Sequence, residues 1–267
     1  MIHLLEIEWM KVKNYRTFWI LLAICIISMP AFNYVVYDLT DNSFPKVQGQ
    51  SIFGSPFAFP NVWGTVSWNS SLLLLIPAVL IITLTTNEFT YKTHRQNVID
   101  GWSRSQFINV KLMEVLLLSV LLTLVVVITS LIFGYLLNPV PSDVNVFKNA
   151  IVILYFFIEM FSYSMIAFVL AMFIKRAGLA MGAFFIYLII EQFIVALLRE
   201  KYKIYNVNYL PEEVTDMLII NPYVGRFMNK DRLAMYQNHM PSYLAVSFIY
   251  LIIYGFISSW RFRKKDL

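Results

Sequence analysis

Long stretches with very few charged residues divide this sequence, and they decide which solvent the folded chain requires. After Glu114, for example, the next charged residue is Asp143. A helix of roughly 20 residues crosses a hydrocarbon layer of about 30 Å. Six stretches are long enough, at residues 18–37, 66–86, 107–137, 148–174, 177–198 and 242–260. Hydrophobic residues make up 59% of the 267 residues and charged residues only 14%. The sequence therefore predicts one all-α integral membrane helical bundle of six transmembrane helices, a single domain over residues 1–267.

The distribution of basic residues predicts the orientation of these spans. With both ends of the chain in the cytoplasm, 13 of the 21 Lys and Arg residues lie on the cytoplasmic side. Most of the others belong to the long segment 199–241, where charge has less influence on translocation. The sequence assigns no role to that segment. We therefore predict a multi-pass protein of the cell inner (cytoplasmic) membrane with both termini cytoplasmic.

The first 17 residues have the pattern of an amphipathic helix. Ile2, Leu5, Trp9 and Val12 recur at helical spacing on one side. We expect this helix to lie in the inner membrane interface, and the alternative is a simple cytoplasmic extension of the first span.

The segment NEFTYKTHRQNVIDGWSRSQF, residues 87–107, is a charged insert between two apolar stretches. Thr85 and Glu88 have the spacing of a capping box, which predicts the start of a new short helix. Asp100–Gly101 indicates a turn, and Ser103 with Gln106 has the spacing of a capping box that opens the third span. We expect a short amphipathic helix, a turn and a long membrane helix. The alternative is a solvated loop that only obeys the inside preference of positive charge.

Two stretches of this sequence resemble a known family. The pattern of Glu88, Tyr91–Lys92–Thr93, Arg95–Gln96, Gly101, Ser103–Arg104 and Lys111 resembles the first cytoplasmic loop of type-2 ABC transporter permeases. The opening stretch from Leu5 to Lys13, followed by Phe18–Trp19, is similar to the start of these permeases. The opening stretch is closest to the branch that protects against bacitracin and lantibiotics.

The resemblance implies a function and a set of partners. It implies a permease that works as a homodimer or heterodimer, driven by a separate cytoplasmic ATPase subunit that binds ATP and Mg. It also implies export of an amphipathic or hydrophobic cargo such as a peptide antibiotic or a lipid. The loop would be the coupling helix that docks on the ATPase, and its ATPase-coupling residues would be Glu88, Tyr91, Lys92, Thr93, Arg95 and Arg104.

Several kinds of chemistry have no support in the sequence. The phosphate-binding pattern GxxxxGK[ST] is absent, so we do not expect this chain to hydrolyse ATP alone. The three histidines lie far apart and the single cysteine is Cys25, which gives no metal-site spacing. We predict no catalytic residues, no metal and no cofactor on this chain. The net charge of +5 is attributed to orientation, and we expect membrane lipid rather than nucleic acid as a partner.

Two carboxyls and two glycines inside the spans are further candidates. Glu159 and Glu191 would be costly at membrane depth without a partner or cavity. They could line a substrate pathway or form structural hydrogen bonds, and a proton-coupled secondary transporter using both is the alternative function. Gly178 and Gly182 have the spacing of a helix-packing motif, which suits packing within the chain or a dimer seam. Pro77 is expected to kink the second span.

Overall fold

The computed structural model describes residues 2–43, 46–47, 50–51, 55–99, 101–137, 144–201, 205–225 and 230–264. These residues are almost entirely helical, which confirms the predicted all-α class. The only strands among them are Lys46–Val47 and Gln50–Ser51, a two-residue antiparallel pair. The helices are α1 (Ile2–Lys13), α2 (Arg16–Asp38), α3 (Val62–Ser71), α4 (Leu75–Thr90), α5 (Thr93–Ile99), α6 (Arg104–Leu136), α7 (Val152–Ile174), α8 (Ala177–Glu200), α9 (Glu213–Asp216), α10 (Pro222–Gly225) and α11 (Lys230–Lys264).

Several of these helices are long and apolar enough to cross a membrane. Within the described residues, five helical stretches meet that condition: Arg16–Asp41, α6, α7, α8 and the Tyr236–Arg261 part of α11. Helices α3 and α4 meet it together, but they are bent by 50° at a short break. The count is therefore five, or six if the bent pair forms one span. A helical protein with several membrane-length helices is thus confirmed.

The predicted second span is bent, and the bend lies in the turn before Pro77. Helix α3 ends at Ser71 and α4 begins at Leu75, so Pro77 lies in the first turn of α4. Proline is tolerated in that turn because its missing N–H would have no partner inside the helix. The proline ring also clashes with the carbonyl four residues before it, that of Leu73, so the break at residues 72–74 confirms the expected kink in the second span.

Helix α7 forms the centre of the bundle. Helices α3, α4, α6, α8 and α11 all contact it. Of its most apolar stretch, 61% is buried, against 17% for α8. The large side chains of Phe156, Met160 and Phe168 are fully enclosed. Helix α8 instead exposes Ile186, Ile189 and other apolar side chains, as expected for a helix that faces lipid.

The two candidate packing glycines lie on this exposed helix. A Cβ atom built on Gly178 or Gly182 meets no heavy atom within 4 Å in the described part of the chain. The intrachain packing that the sequence favours is therefore not seen at these positions, and a dimer seam stays a prediction. Gly134 is different, because a Cβ atom there would lie 2.4 Å from the ring of Phe59.

Side-chain contacts define two ends of the bundle. At the first, Lys175 Nζ lies 4.7 Å from the Phe89 ring centroid and Arg261 Cζ lies 4.6 Å from that of Phe173. We call this the basic end, and α1 and α5 lie here too. At the opposite end, Trp63 donates to the carbonyl of Val146 at 2.7 Å. Residues 205–225 also lie at the opposite end.

Candidate functional site

The segment 87–107 contains the short helix that the sequence predicts. Helix α4 ends at Thr90, Lys92 has a left-handed backbone with φ of 57°, and α5 follows. Gly101, with φ of +96°, makes the turn after α5. The Ser103–Gln106 capping box then opens α6, with bonds of 3.2 and 2.8 Å. The predicted capping box at the start of the third span is therefore confirmed.

The other predicted capping box is wrong. Thr85 and Glu88 lie inside α4, which continues to Thr90, so no helix begins there. Both side chains are buried. A threonine in a helix can donate to the carbonyl one turn before it, so the capping spacing alone does not mark a helix start.

Glu88 instead belongs to a buried set of alternating charges, which we call the junction cluster: Glu8, Lys11, Glu88, Lys111 and Glu114. Lys111 Nζ lies at its centre, 2.6 Å from Glu8 Oε2, 2.8 Å from Glu88 Oε1 and 3.1 Å from Glu114 Oε2. Lys11 Nζ donates to Glu8 Oε1 at 2.7 Å and lies 3.7 Å from Glu88 Oε1. The cluster therefore joins α1, α4 and α6.

Polar side chains of α5 attach this short helix to the junction cluster. The Thr93 hydroxyl donates to Glu88 Oε2. The His94 ring nitrogen Nδ1 lies 2.8 Å from the Glu88 carbonyl oxygen. Asn97 Oδ1 accepts a hydrogen bond from Lys11 at 3.1 Å. Helix α5 is thus held against both α1 and α4.

Burial makes the ion pairs of the junction cluster strong. Burial by itself raises the pKa of Glu8, but the charges of Lys111 and Lys11 and their hydrogen bonds outweigh it and lower this pKa to about 2. The Glu8 carboxylate is therefore ionised at neutral pH. Removing one partner from such a buried pair leaves an uncompensated charge, which is far more costly than the pair itself.

The predicted coupling residues have different environments. Glu88 and Thr93 are in or beside the junction cluster. Tyr91 is 69% exposed and Lys92 is also exposed, whereas Arg104 is half-buried. The side chain of Arg95 lies outside the described part of the structure.

Sequence reasoning did not identify Glu8, Lys11 and Glu114 as site residues. A signal for them existed in the spacing, because Glu8–Lys11 and Lys111–Glu114 are both opposite charges three positions apart on a helix. That spacing shows a local pair. It does not show that the two pairs meet.

A second polar region, the acidic cluster, lies at the opposite end and consists of Glu159, Glu191, Glu212 and Asp216. Glu191 Oε1 accepts hydrogen bonds from the backbone N–H groups of Glu212 and Glu213 at 2.6 and 3.1 Å. Its Oε2 accepts from the Tyr187 hydroxyl at 2.5 Å. Three donors thus hold Glu191, which fastens α8 to the start of α9.

The other three carboxyls of the acidic cluster have fewer partners. Asp216 Oδ1 accepts from the Tyr163 hydroxyl at 3.0 Å. Glu159 Oε2 and Glu212 Oε1 are buried and have no hydrogen-bond partner in the described structure. Burial and neighbouring carboxylates raise the pKa of Glu212 to about 9 and that of Asp216 to about 7. The nearby cation Arg199 is paired with Glu213 at 2.6 Å.

Each end also contains a cavity. One, of about 500 Å³, lies beside the junction cluster and is lined mainly by apolar side chains of α1, α2, α4 and α6. The other, of about 920 Å³, lies at the opposite end between residues 56–65, the start of α7, residues 218–222 and α11. No three His, Cys, Asp or Glu residues of the described chain are grouped so as to hold a metal ion.

Comparison with known proteins gives a family without an assigned activity. No curated protein matches the chain. A family model described as "protein of unknown function (DUF2705)" matches residues 21–267, which include both clusters except Glu8 and Lys11 of α1. Because this match covers most of the sequence, the chain belongs to the DUF2705 family.

Proposed function

We propose that this protein is the permease subunit of an ATP-driven ABC exporter, powered by a separate ATPase subunit that docks at residues 87–107. The observation that carries the proposal is α5, a seven-residue helix between two apolar helices, α4 and α6. Polar side chains attach it to α1 and α4, and the ion pair between Glu88 and Lys111 joins α4 to α6 in turn. This segment resembles the coupling loop of type-2 ABC permeases. The resemblance supports docking of the ATPase subunit on α5.

The arrangement suits the transmission of a displacement. Salt bridges of 2.6 to 2.8 Å join Lys111 of α6 to Glu8 of α1 and Glu88 of α4. A force on α5 therefore acts on three helices as one body, as rigid-body transitions require. A loosely attached loop would absorb the same force by bending.

The exposed side of α5 and the turn before it provide a surface for docking. Tyr91 is 69% exposed and Ile99 is 77% exposed, and Lys92 lies beside Tyr91. Exposed apolar and aromatic side chains of this kind are typical anchors of protein interfaces. On the side predicted to be cytoplasmic, they support a protein partner rather than lipid.

A second copy of the chain is part of the proposal. The open surface around Gly178 and Gly182 on α8 allows another helix to approach closely. In the predicted orientation, the protein lies in the cell inner membrane and both termini are cytoplasmic. Helix α5 is then on the cytoplasmic side, where ATP is available. The proposed cargo is amphipathic or hydrophobic, such as a peptide antibiotic or a lipid.

Copurification tests this function directly. The full chain is extracted from its native membrane in mild detergent, and retained proteins are identified and assayed for ATP hydrolysis. We expect a Walker-type ATPase. Tyr91→Ala should lower its recovery about tenfold, the loss of one interface anchor. Tyr34→Ala removes a tyrosine of similar exposure (59%) from α2 and serves as the control. Failure to retain any ATPase would contradict the proposal.

A proton-coupled secondary transporter remains the alternative. The observation that favours it is the buried, unpartnered carboxyl oxygen of Glu159, with Glu191 nearby in the acidic cluster. Such a transporter would move its substrate in proteoliposomes that contain this chain alone and a pH gradient. The exporter that we propose would not.

A further inference from the structure

Two carboxyl oxygens of the acidic cluster are buried without a hydrogen bond. Glu159 is 3% exposed and Glu212 is 1% exposed, and Oε2 of the first and Oε1 of the second lack a partner among the described residues. Tyr254 adds a third unsatisfied group, because its buried hydroxyl interacts electrostatically with Glu191 and Glu212 yet forms no hydrogen bond in this part of the structure. Buried polar atoms are rarely left unsatisfied unless something else satisfies them.

The cavity of about 920 Å³ lies next to these groups. Tyr155 lines it, and Glu159 follows four residues later on the same face of α7. Leu218 and Ile219 also line the cavity, two and three residues after Asp216. Tyr236, beside the lining residue Gln237, interacts electrostatically with Glu159 and Tyr155. Glu159 therefore lies one helical turn from a residue of the cavity wall, and Glu212 lies six positions before the lining residue Leu218.

The chemistry of the cluster selects the kind of ligand. Carboxyl oxygens without donors attract a group that carries both positive charge and N–H bonds. A bare metal ion is a poor match, because no three potential ligands in the described chain are grouped around one point. The cavity wall is largely apolar, with Ile151, Met240 and Leu244 among its lining residues. A primary ammonium on an apolar body combines the two requirements.

We propose that an amphipathic primary amine binds in the cavity at the opposite end and extends its ammonium group past the cavity wall to donate to the carboxyls of Glu159 and Glu212, which do not line the cavity themselves. Glu191 is a positioning residue in this site, because it already accepts two hydrogen bonds from the backbone of residues 212–213 and a third from the Tyr187 hydroxyl. As a statement about cargo the proposal rests on the proposed exporter function. As a statement about binding it stands without an ATPase.

Binding should release protons. An ammonium pairs with an ionised carboxylate, whereas burial holds the pKa of Glu212 at about 9. Below that pH, each unit of pH lowers the ionised fraction about tenfold and should weaken binding by the same factor. The titratable and charged groups around the site come from every element that packs on it: Glu159 and Tyr163 of α7, Tyr187, Glu191 and Arg199 of α8, Glu212, Glu213 and Asp216 of the segment before α10, and Tyr236, Tyr250 and Tyr254 of α11.

Three probes of one shape test the ligand class on the full chain in phosphatidylcholine nanodiscs, with empty nanodiscs as the blank. They are 2-phenylethylammonium, its trimethylammonium analogue without N–H bonds, and neutral 2-phenylethanol. By calorimetry we expect the primary ammonium to bind at least about tenfold more tightly than either analogue. Its affinity should rise with pH between 6 and 9, while that of the alcohol stays constant. Equal affinities, or no dependence on pH, would overturn the proposal.

Matched variants test the residues. Glu159→Gln and Glu212→Gln keep the side-chain shape and should each weaken binding of the primary ammonium about tenfold. Glu200→Gln removes an exposed carboxylate at the end of α8 and should leave binding unchanged. If all three variants bind as the wild type does, the assignment is wrong. If a variant does not fold, the pH dependence of the wild type still decides.

The two proposals fail in different ways. A chain that binds the ammonium but retains no ATPase contradicts the exporter and keeps the amine site. A chain that retains an ATPase but does not distinguish the three probes contradicts the amine site and keeps the exporter.

Discussion

The two ends of this protein bury the same kind of residue with opposite results. In the junction cluster, three glutamates alternate with Lys11 and Lys111, and the nearest oxygens lie 2.6 to 3.1 Å from Lys111 Nζ. In the acidic cluster, four carboxyls lie together and the adjacent Arg199 is bound to Glu213, which is outside the cluster. Most members of both clusters are buried, and Lys11, Glu114 and Asp216 are partly buried. Charge balance is what differs between them.

That difference separates a structural joint from an open site. A buried carboxylate must be paired, hydrogen-bonded or protonated, because leaving it alone costs too much. The junction cluster satisfies its charges internally, so it locks α1, α4 and α6 together. The acidic cluster leaves one oxygen of Glu159 and one of Glu212 without a hydrogen-bond partner among the described residues. We therefore expect the first cluster to respond to mutation by losing stability and the second to respond to pH and to ligands.

The largest effect should come from removing the central cation of the junction cluster. Lys111→Met keeps the side-chain length but leaves Glu8, Glu88 and Glu114 with Lys11 alone. We expect a loss of about 5 kcal/mol in the free energy of unfolding, the upper range for breaking a buried ion pair. The measurement is thermal unfolding in detergent. Lys13→Met, at an exposed position of α1, is the control, and equal losses in the two variants would contradict the cluster.

A smaller effect should appear in the pH dependence of the acidic cluster. The folded chain holds the Glu212 proton up to about pH 9, whereas the unfolded chain releases it near 4.5. Wild-type stability should therefore fall as pH rises, by about 1.4 kcal/mol per pH unit, or about 4 kcal/mol from pH 5 to 8. Glu212→Gln removes this proton and should flatten that slope. The free energy of unfolding of both proteins is measured by denaturation from pH 5 to 8. A slope in Glu212→Gln equal to that of the wild type would refute this prediction.

The junction cluster should show the reverse dependence on pH. The pKa of Glu8 is lowered from 4.5 to about 2, so its stabilising effect is complete above pH 4.5 and is lost as pH falls towards 2. The loss across this window is about 3 kcal/mol. In Glu8→Gln this acid-dependent part should vanish, and acid titration of both proteins followed by circular dichroism measures it. If the variant loses its structure at the same acidic pH values as the wild type, Glu8 is not ionised in the folded chain.

The smallest effect concerns the start of α6, which carries Lys111. Ser103→Ala removes the hydroxyl that accepts from the Gln106 backbone and should cost about 1 kcal/mol. Ser105→Ala lies in the same turn, is exposed and serves as the control. The comparison uses apparent melting temperatures. No difference between the variants would mean that the capping box does not contribute to the stability of α6.

Local patterns in the sequence predicted much of this architecture. Charge-free stretches predicted the long helices, and the Ser103–Gln106 spacing predicted where α6 begins. The same spacing at Thr85 and Glu88 failed because a buried α4 continues through it. The spacing of Gly178 and Gly182 suited either intrachain packing or a dimer seam, and no described side chain packs closely on either glycine. Both outcomes depend on surroundings that a local pattern does not contain.

By itself, the sequence determined the apolar, helical character of this protein and the start of α6, because hydrophobicity and capping act between neighbouring residues. Only the tertiary structure decided which charges meet. Glu8 and Lys111 are 103 positions apart in the chain and 2.6 Å apart in space. A pairing of that kind depends on how α1 packs against α4 and α6. Tertiary packing also left one carboxyl oxygen of Glu159 and one of Glu212 buried without a hydrogen-bond partner among the described residues.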